Sequence, residues 1–64
     1  MKNAKTAAEK LFRFNIYSLN KDGSEGLYLG DAIAATYDEA LSEARARFLK
    51  VFRHGVKVVN ANLH

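Results

Sequence analysis

Between residues 11 and 19, LFRFNIYSL, apolar and polar side chains alternate. Phe12, Phe14 and Ile16 fall on one side of an extended chain, and Arg13, Asn15 and Tyr17 on the other, with Leu11 and Leu19 at the ends. A period of two carried by aromatic and β-branched residues predicts a half-buried strand. The segment NKDGSEG, residues 20–26, follows. Its Asn20, Asp22 and Gly23 tolerate the left-handed backbone that a hairpin loop needs. LYLGDAIAAT, residues 27–36, is the returning strand, with Leu27, Leu29, Ile33 and Ala35 of one parity. Gly30-Asp31 interrupts that parity and predicts a bulge or bend, beyond which the inward set is left open.

The period then changes. TYDE, residues 36–39, has the form of a capping box, with Thr36 as N-cap and Glu39 answering it from the third helical position. Asp38 and Glu39 also suit the positive end of the helix dipole. Tyr37, Ala40, Leu41, Ala44, Phe48, Val51 and Phe52 recur at steps of three and four, which predicts one apolar stripe on a helix from Tyr37 to about Arg53. Gly55 fits the position just past a Schellman ending, with Val56 reaching back to Val51. VKVVNANLH, residues 56–64, reads as a third strand. Of its two faces, the one holding Val59, Ala61 and Leu63 is expected inward, because Asn60 and Asn62 would need partners if buried.

The expectation is an α+β fold: a single small β-β-α-β domain over residues 11–64, preceded by a flexible or short helical arm at 1–10. The most apolar strand belongs in the centre, giving a three-stranded antiparallel sheet of order 2-1-3 with the helix on one face. The other face is left open. Strand 2 then lies at an edge with Asp31 as its only gatekeeping charge, so the chain is expected as a monomer or an edge-strand homodimer.

Charge sharpens this picture. Residues 1–43 hold five Lys/Arg against seven Asp/Glu, while residues 44–64 hold Arg45, Arg47, Lys50, Arg53 and Lys57 and no acid. The last third is therefore a one-signed basic patch, able to meet an acidic protein surface or nucleic-acid phosphates. On the open sheet face, Arg13, Asn15, Tyr17, Tyr28, Asn60 and Asn62 are the candidate protein-binding residues. Exposed Tyr and Arg on a rigid sheet are common interface anchors, and tyrosines also suit base stacking.

Catalytic and metal chemistry find little support. There is no Cys, so thiolate ligands and disulfides are excluded. His54 and His64 lack ligand spacing, and Ser18, Ser24 and Ser42 have no His-acid constellation near them. A 64-residue chain also has little room for a cleft. No enzyme activity, cofactor or metal is expected. No apolar run approaches the roughly 20 residues that cross a bilayer, and MKNAKTAAEK lacks the apolar core of a secretory signal. These readings point to the cytoplasm.

In length, element order and its helix start ATYDEALSEA, the chain resembles the short bacteriophage-encoded inhibitors of bacterial RNA polymerase. The resemblance rests on Ala35, Thr36, Asp38, Glu39, Ala40, Leu41, Ala44, Gly55 and Val58. It implies a small non-enzymatic protein that occupies a surface of a larger host machine. That family grips its target with an acid at the end of the first strand and arginines on the last. Here Tyr17 stands at the first place and Asn60 and Asn62 at the others, so no contact residue carries over.

Overall fold

In the computed structural model, which describes residues 10–62, the chain runs β1 (Phe12–Leu19), β2 (Glu25–Ala34), α1 (Tyr37–Phe48) and β3 (Val56–Asn60). The three strands form one antiparallel sheet in the order β2-β1-β3, and the helix lies across one face. The α+β, β-β-α-β fold expected from the pattern is the fold observed.

β1 turns Phe14 and Ile16 to the helix, where they are the largest fully buried side chains. Burying each removes enough apolar surface to stabilise the fold by roughly 1.5–3 kcal/mol. The helix meets them with Ala40 and Ala44, both fully buried. Their methyl-sized side chains let the helix backbone approach the sheet. Phe12, Leu29, Leu41 and Phe48 close the margins of this core.

The turn after β1 is held by its own polar groups. Asn20 N–H donates to Ser24 O at 2.8 Å, and Asp22 Oδ1 accepts from both the Ser24 amide and its hydroxyl. Inside the sheet, buried Ser18 accepts the Leu27 amide through Oγ at 2.9 Å. Gly26 is what permits this, since a Cβ there would stand 2.5 Å from Ser18 Oγ.

β2 carries the expected bulge, and the bulge resets its parity. Ile16 pairs with Gly30 but Tyr17 with Tyr28, so Leu29 is an extra residue. Beyond it Ala32 and Ala34 face the core, while Ile33 is 56% exposed. Leu27, expected inward, is 67% exposed. Before the bulge only Leu29 of that parity packs against the core, and beyond it, where the pattern leaves the inward set open, Ala32 and Ala34 take the inward places.

At the helix start, Thr36 Oγ1 accepts the Glu39 amide at 3.2 Å, and the Glu39 carboxylate accepts the amide of Ala35, one residue before the cap. The helix is shorter than its stripe implied, ending at Phe48 with Leu49 as C-cap. Val51 is exposed, and Gly55, with φ of +111°, ends a later turn instead of the helix. The sheet decides this. Leu19 N–H donates to Gly55 O at 3.0 Å, so the chain must leave the helix early enough to bring Gly55 to the end of β1.

The facing of β3 is also corrected. Val56 and Val58, opposite Ser18 and Ile16, are buried, whereas Val59 is exposed and Ala61 half-buried. Leu63 lies outside the described residues, as do residues 1–9 of the arm expected at 1–10. Asn60, opposite Phe14, shares the helix-side parity at no polar cost, because its Oδ1 accepts the Asn62 amide at 2.8 Å. That local answer removes the penalty on which the opposite choice rested.

Candidate functional site

The second face of the sheet is covered by no described element. β1 places Arg13, Asn15 and Tyr17 on it. The register places Ile33 beside Arg13, Asp31 and Val59 beside Asn15, and Tyr28 and Lys57 beside Tyr17. Residues directly opposite in an antiparallel pair project to the same side, so these eight form one surface.

Its centre is an ordered polar-aromatic group. The Tyr17 and Tyr28 rings meet edge to face at 5.6 Å between centroids. Such pairs contribute about 0.5–1.5 kcal/mol beyond area burial and hold both rings in place. Tyr28 Oη donates to Asp31 Oδ1 at 2.5 Å, and the Arg13 guanidinium stands 3.9 Å from the other Asp31 oxygen. The Asp31 hydrogen bond, which favours the protonated phenol, pushes the Tyr28 pKa above its ordinary value. Lys57 is paired across the face with Glu25 at 3.1 Å. The two cations of this face each have a carboxylate at hand, so its exposed character is aromatic and aliphatic more than cationic.

Four of the six residues expected on this surface are brought together: Arg13, Asn15, Tyr17 and Tyr28. Asn60 is not, being on the helix side. Asn62 lies in the turn after β3, where its Oδ1 accepts the Arg13 amide at 2.8 Å. Asp31, Ile33, Lys57 and Val59 belong to the surface and were missed. Their signal was the Gly30 bulge, which exchanges Ile33 for Ala32, and the Val-x-Val spacing of Val56 and Val58, which frees Val59.

The basic patch is divided. Lys57 is on the open sheet face. Arg47 is drawn onto β2, where Nη1 donates to Asp31 O at 2.8 Å and lies 3.4 Å from Glu43. Its guanidinium carbon stands 4.9 Å from the Phe48 ring centroid. Arg45, Lys50 and Arg53 are exposed and make no ion pair among the described residues.

Among the described residues no three His, Cys, Asp or Glu side chains converge as a metal site, and no helix is long and apolar enough to cross a membrane. No family model, curated protein or solved structure matches the chain.

Proposed function

We propose that this protein is a small non-enzymatic binding module that acts by laying its open sheet face on a larger protein. The observation that carries the reading is the ordered group of Tyr17, Tyr28, Asp31 and Arg13, flanked by exposed Ile33 and Val59. Rigid, amphipathic tyrosines give contact area at little entropic cost, and a neighbouring Arg adds directional donors. Because Arg13 and Lys57 already have carboxylate neighbours, the matching partner surface is apolar and hydrogen-bonding at its centre. An acidic rim on the partner fits Arg45, Lys50 and Arg53 instead.

The resemblance to phage inhibitors of bacterial RNA polymerase makes a host machine of that kind the first partner to try. Purified bacterial RNA polymerase and a bacterial lysate are presented to the immobilised chain and to its Arg13→Ala/Tyr28→Ala variant. Both side chains are exposed, so the circular dichroism spectrum should not change, while capture should be lost. Equal capture by the two proteins removes the sheet face from the reading.

A second reading, nucleic-acid binding through the helix end, is favoured by the three exposed cations Arg45, Lys50 and Arg53. It requires affinity for duplex DNA that falls with salt at a slope of about −0.9 per phosphate neutralised, so three cations give a slope of about −3. Binding that ignores salt, or is absent at low salt, excludes it.

A further inference from the structure

We propose that the outer edge of β3 is a strand-addition site whose occupant is β3 of a second copy of this chain, paired antiparallel about a two-fold axis at Val58. The site is separate from the open sheet face, and the inference does not rest on the binding function proposed above.

The direction of each backbone group on the edge follows from two hydrogen bonds. Leu19 N–H donates to Gly55 O at 3.0 Å and Ala61 N–H to Arg13 O at 2.8 Å. These pairs continue the β1–β3 register in which Ile16 faces Val58. Antiparallel pairs alternate between hydrogen-bonded and non-hydrogen-bonded. Lys57 and Val59 therefore point their N–H and C=O groups at β1, and Val56, Val58 and Asn60 point theirs away. Among the described residues nothing accepts from or donates to those outward groups. The Val56 and Val58 side chains are buried under the helix, so what these two residues offer the outside is backbone.

The opposite edge of the sheet is partly occupied. By the same alternation Asp31, Ile33 and Ala35 direct their backbone outward from β2. Arg47 occupies the Asp31 carbonyl, Glu39 occupies the Ala35 amide, and two register irregularities break the strand. Bulges and covered groups are how natural sheets block edge pairing. The homodimer expected through β2 is thereby disfavoured. β3 has neither device and keeps an unbroken register over its five residues.

Self-pairing also satisfies the side chains. With Val58 opposite Val58 of the second copy, Val56 meets Asn60 at both ends, and all three outward residues exchange bonds. On the open face Lys57 then stands opposite Val59 of the other copy. Sliding the register two residues toward Val56 would set Lys57 against Lys57 and lose a pair of bonds. The two-fold at Val58 is the arrangement that uses every outward group and opposes no like charges. The product is a continuous six-stranded sheet, twice the three strands of one copy.

Sedimentation equilibrium of the full chain tests this, together with two variants at exposed Val59. Val59→Lys puts two facing lysine pairs across the axis and should weaken dimerisation about tenfold. Val59→Glu, which faces Lys57 instead, should not weaken it. A wild-type chain that stays monomeric overturns the proposal, as does an equal response to the two variants. Because the sequence has no native cysteine, the register can be read directly. Lys57→Cys and Val59→Cys chains, mixed and oxidised, should cross-link to each other, since a directly opposed non-hydrogen-bonded pair lies within disulfide reach. Either chain alone should stay uncross-linked. The reverse pattern, or no cross-link in the mixture, also overturns the proposal.

Discussion

Arg47 on the helix and Asp31 on the second strand are joined through the backbone of one and the side chain of the other, Nη1 to carbonyl oxygen at 2.8 Å. The bond crosses from helix to sheet edge and passes over Gly30, where a Cβ would sit 3.5 Å from Arg47 Nη2. Arg47→Met keeps an unbranched stem beside Phe48 but removes the donor. It should cost about 1 kcal/mol, the net worth of a hydrogen bond near the surface. Urea denaturation would read this as a lower midpoint at unchanged slope. An unchanged midpoint would show that the edge does not depend on Arg47.

Gly26 and Ser18 should behave as one unit. Gly26→Ala drives the new methyl into Ser18 Oγ and should cost about 2 kcal/mol, by displacing the hydroxyl from the Leu27 amide. Ser18→Ala leaves the same amide unpaired and should cost about 1–2 kcal/mol. Because both lesions strike one hydrogen bond, the double variant should lose less than the sum of the singles. Full additivity in a double-mutant cycle would refute the shared mechanism.

Tyr28 and Asp22 give stability opposite responses to pH. Asp31 accepts from the Tyr28 phenol, so the folded chain holds that proton above the ordinary value of 10.0. The stability this provides is complete below pH 10.0 and is lost as pH rises through the raised folded value. Ultraviolet titration should show a late-ionising tyrosine that Tyr28→Phe removes and Asp31→Asn brings back toward 10.0. Asp22 is shifted the other way, lowered first by the Ser24 hydroxyl and then by the Ser24 amide. Its contribution is present above pH 3.8 and is lost as pH falls through the lowered folded value. In an NMR titration, Ser24→Ala should move the Asp22 carboxylate midpoint upward.

Thr36→Ala removes the acceptor for the Glu39 amide and should cost about 1 kcal/mol, while Thr36→Ser should retain most of it. Thermal denaturation followed at the helix band distinguishes the two. Equal loss in both would mean that the hydroxyl is not what caps this helix.

What could be read from the sequence was whatever depends on neighbours a few residues apart. The alternation of Phe12, Phe14 and Ile16, the Thr36–Glu39 cap and the turn acids are local chemistry, and they led to the right elements in the right order. What was left open or came out differently lies where a distant partner decides. The facing of Ile33 depends on a one-residue bulge, and that of Val59 on the pairing of Val58 with Ile16. The helix end at Phe48 depends on the bond between Gly55 and Leu19. The candidate surface shows the same division. The residues β1 contributes were legible, because they follow from a single strand's period. Asp31, Ile33, Lys57 and Val59 were not, because their membership is settled by register.

Placing β1 between its neighbours also sets an order of events for folding. β2 returns after residues 20–24, whereas residues 20–55 separate β1 from β3. For free chain, closing the longer segment costs roughly 2 kcal/mol more in entropy. The β1–β2 hairpin is therefore expected to zip first and β3 to dock late. Val58→Ala should then speed unfolding while leaving the folding rate nearly unchanged, and slowed folding in stopped-flow would contradict this order. Until β3 arrives, the inner strand has one bare edge, carrying the backbone groups of Arg13, Asn15, Tyr17 and Leu19. The interval before the last strand docks is when the chain is most exposed to misassembly, so its yield on refolding should be governed by concentration more than by final stability.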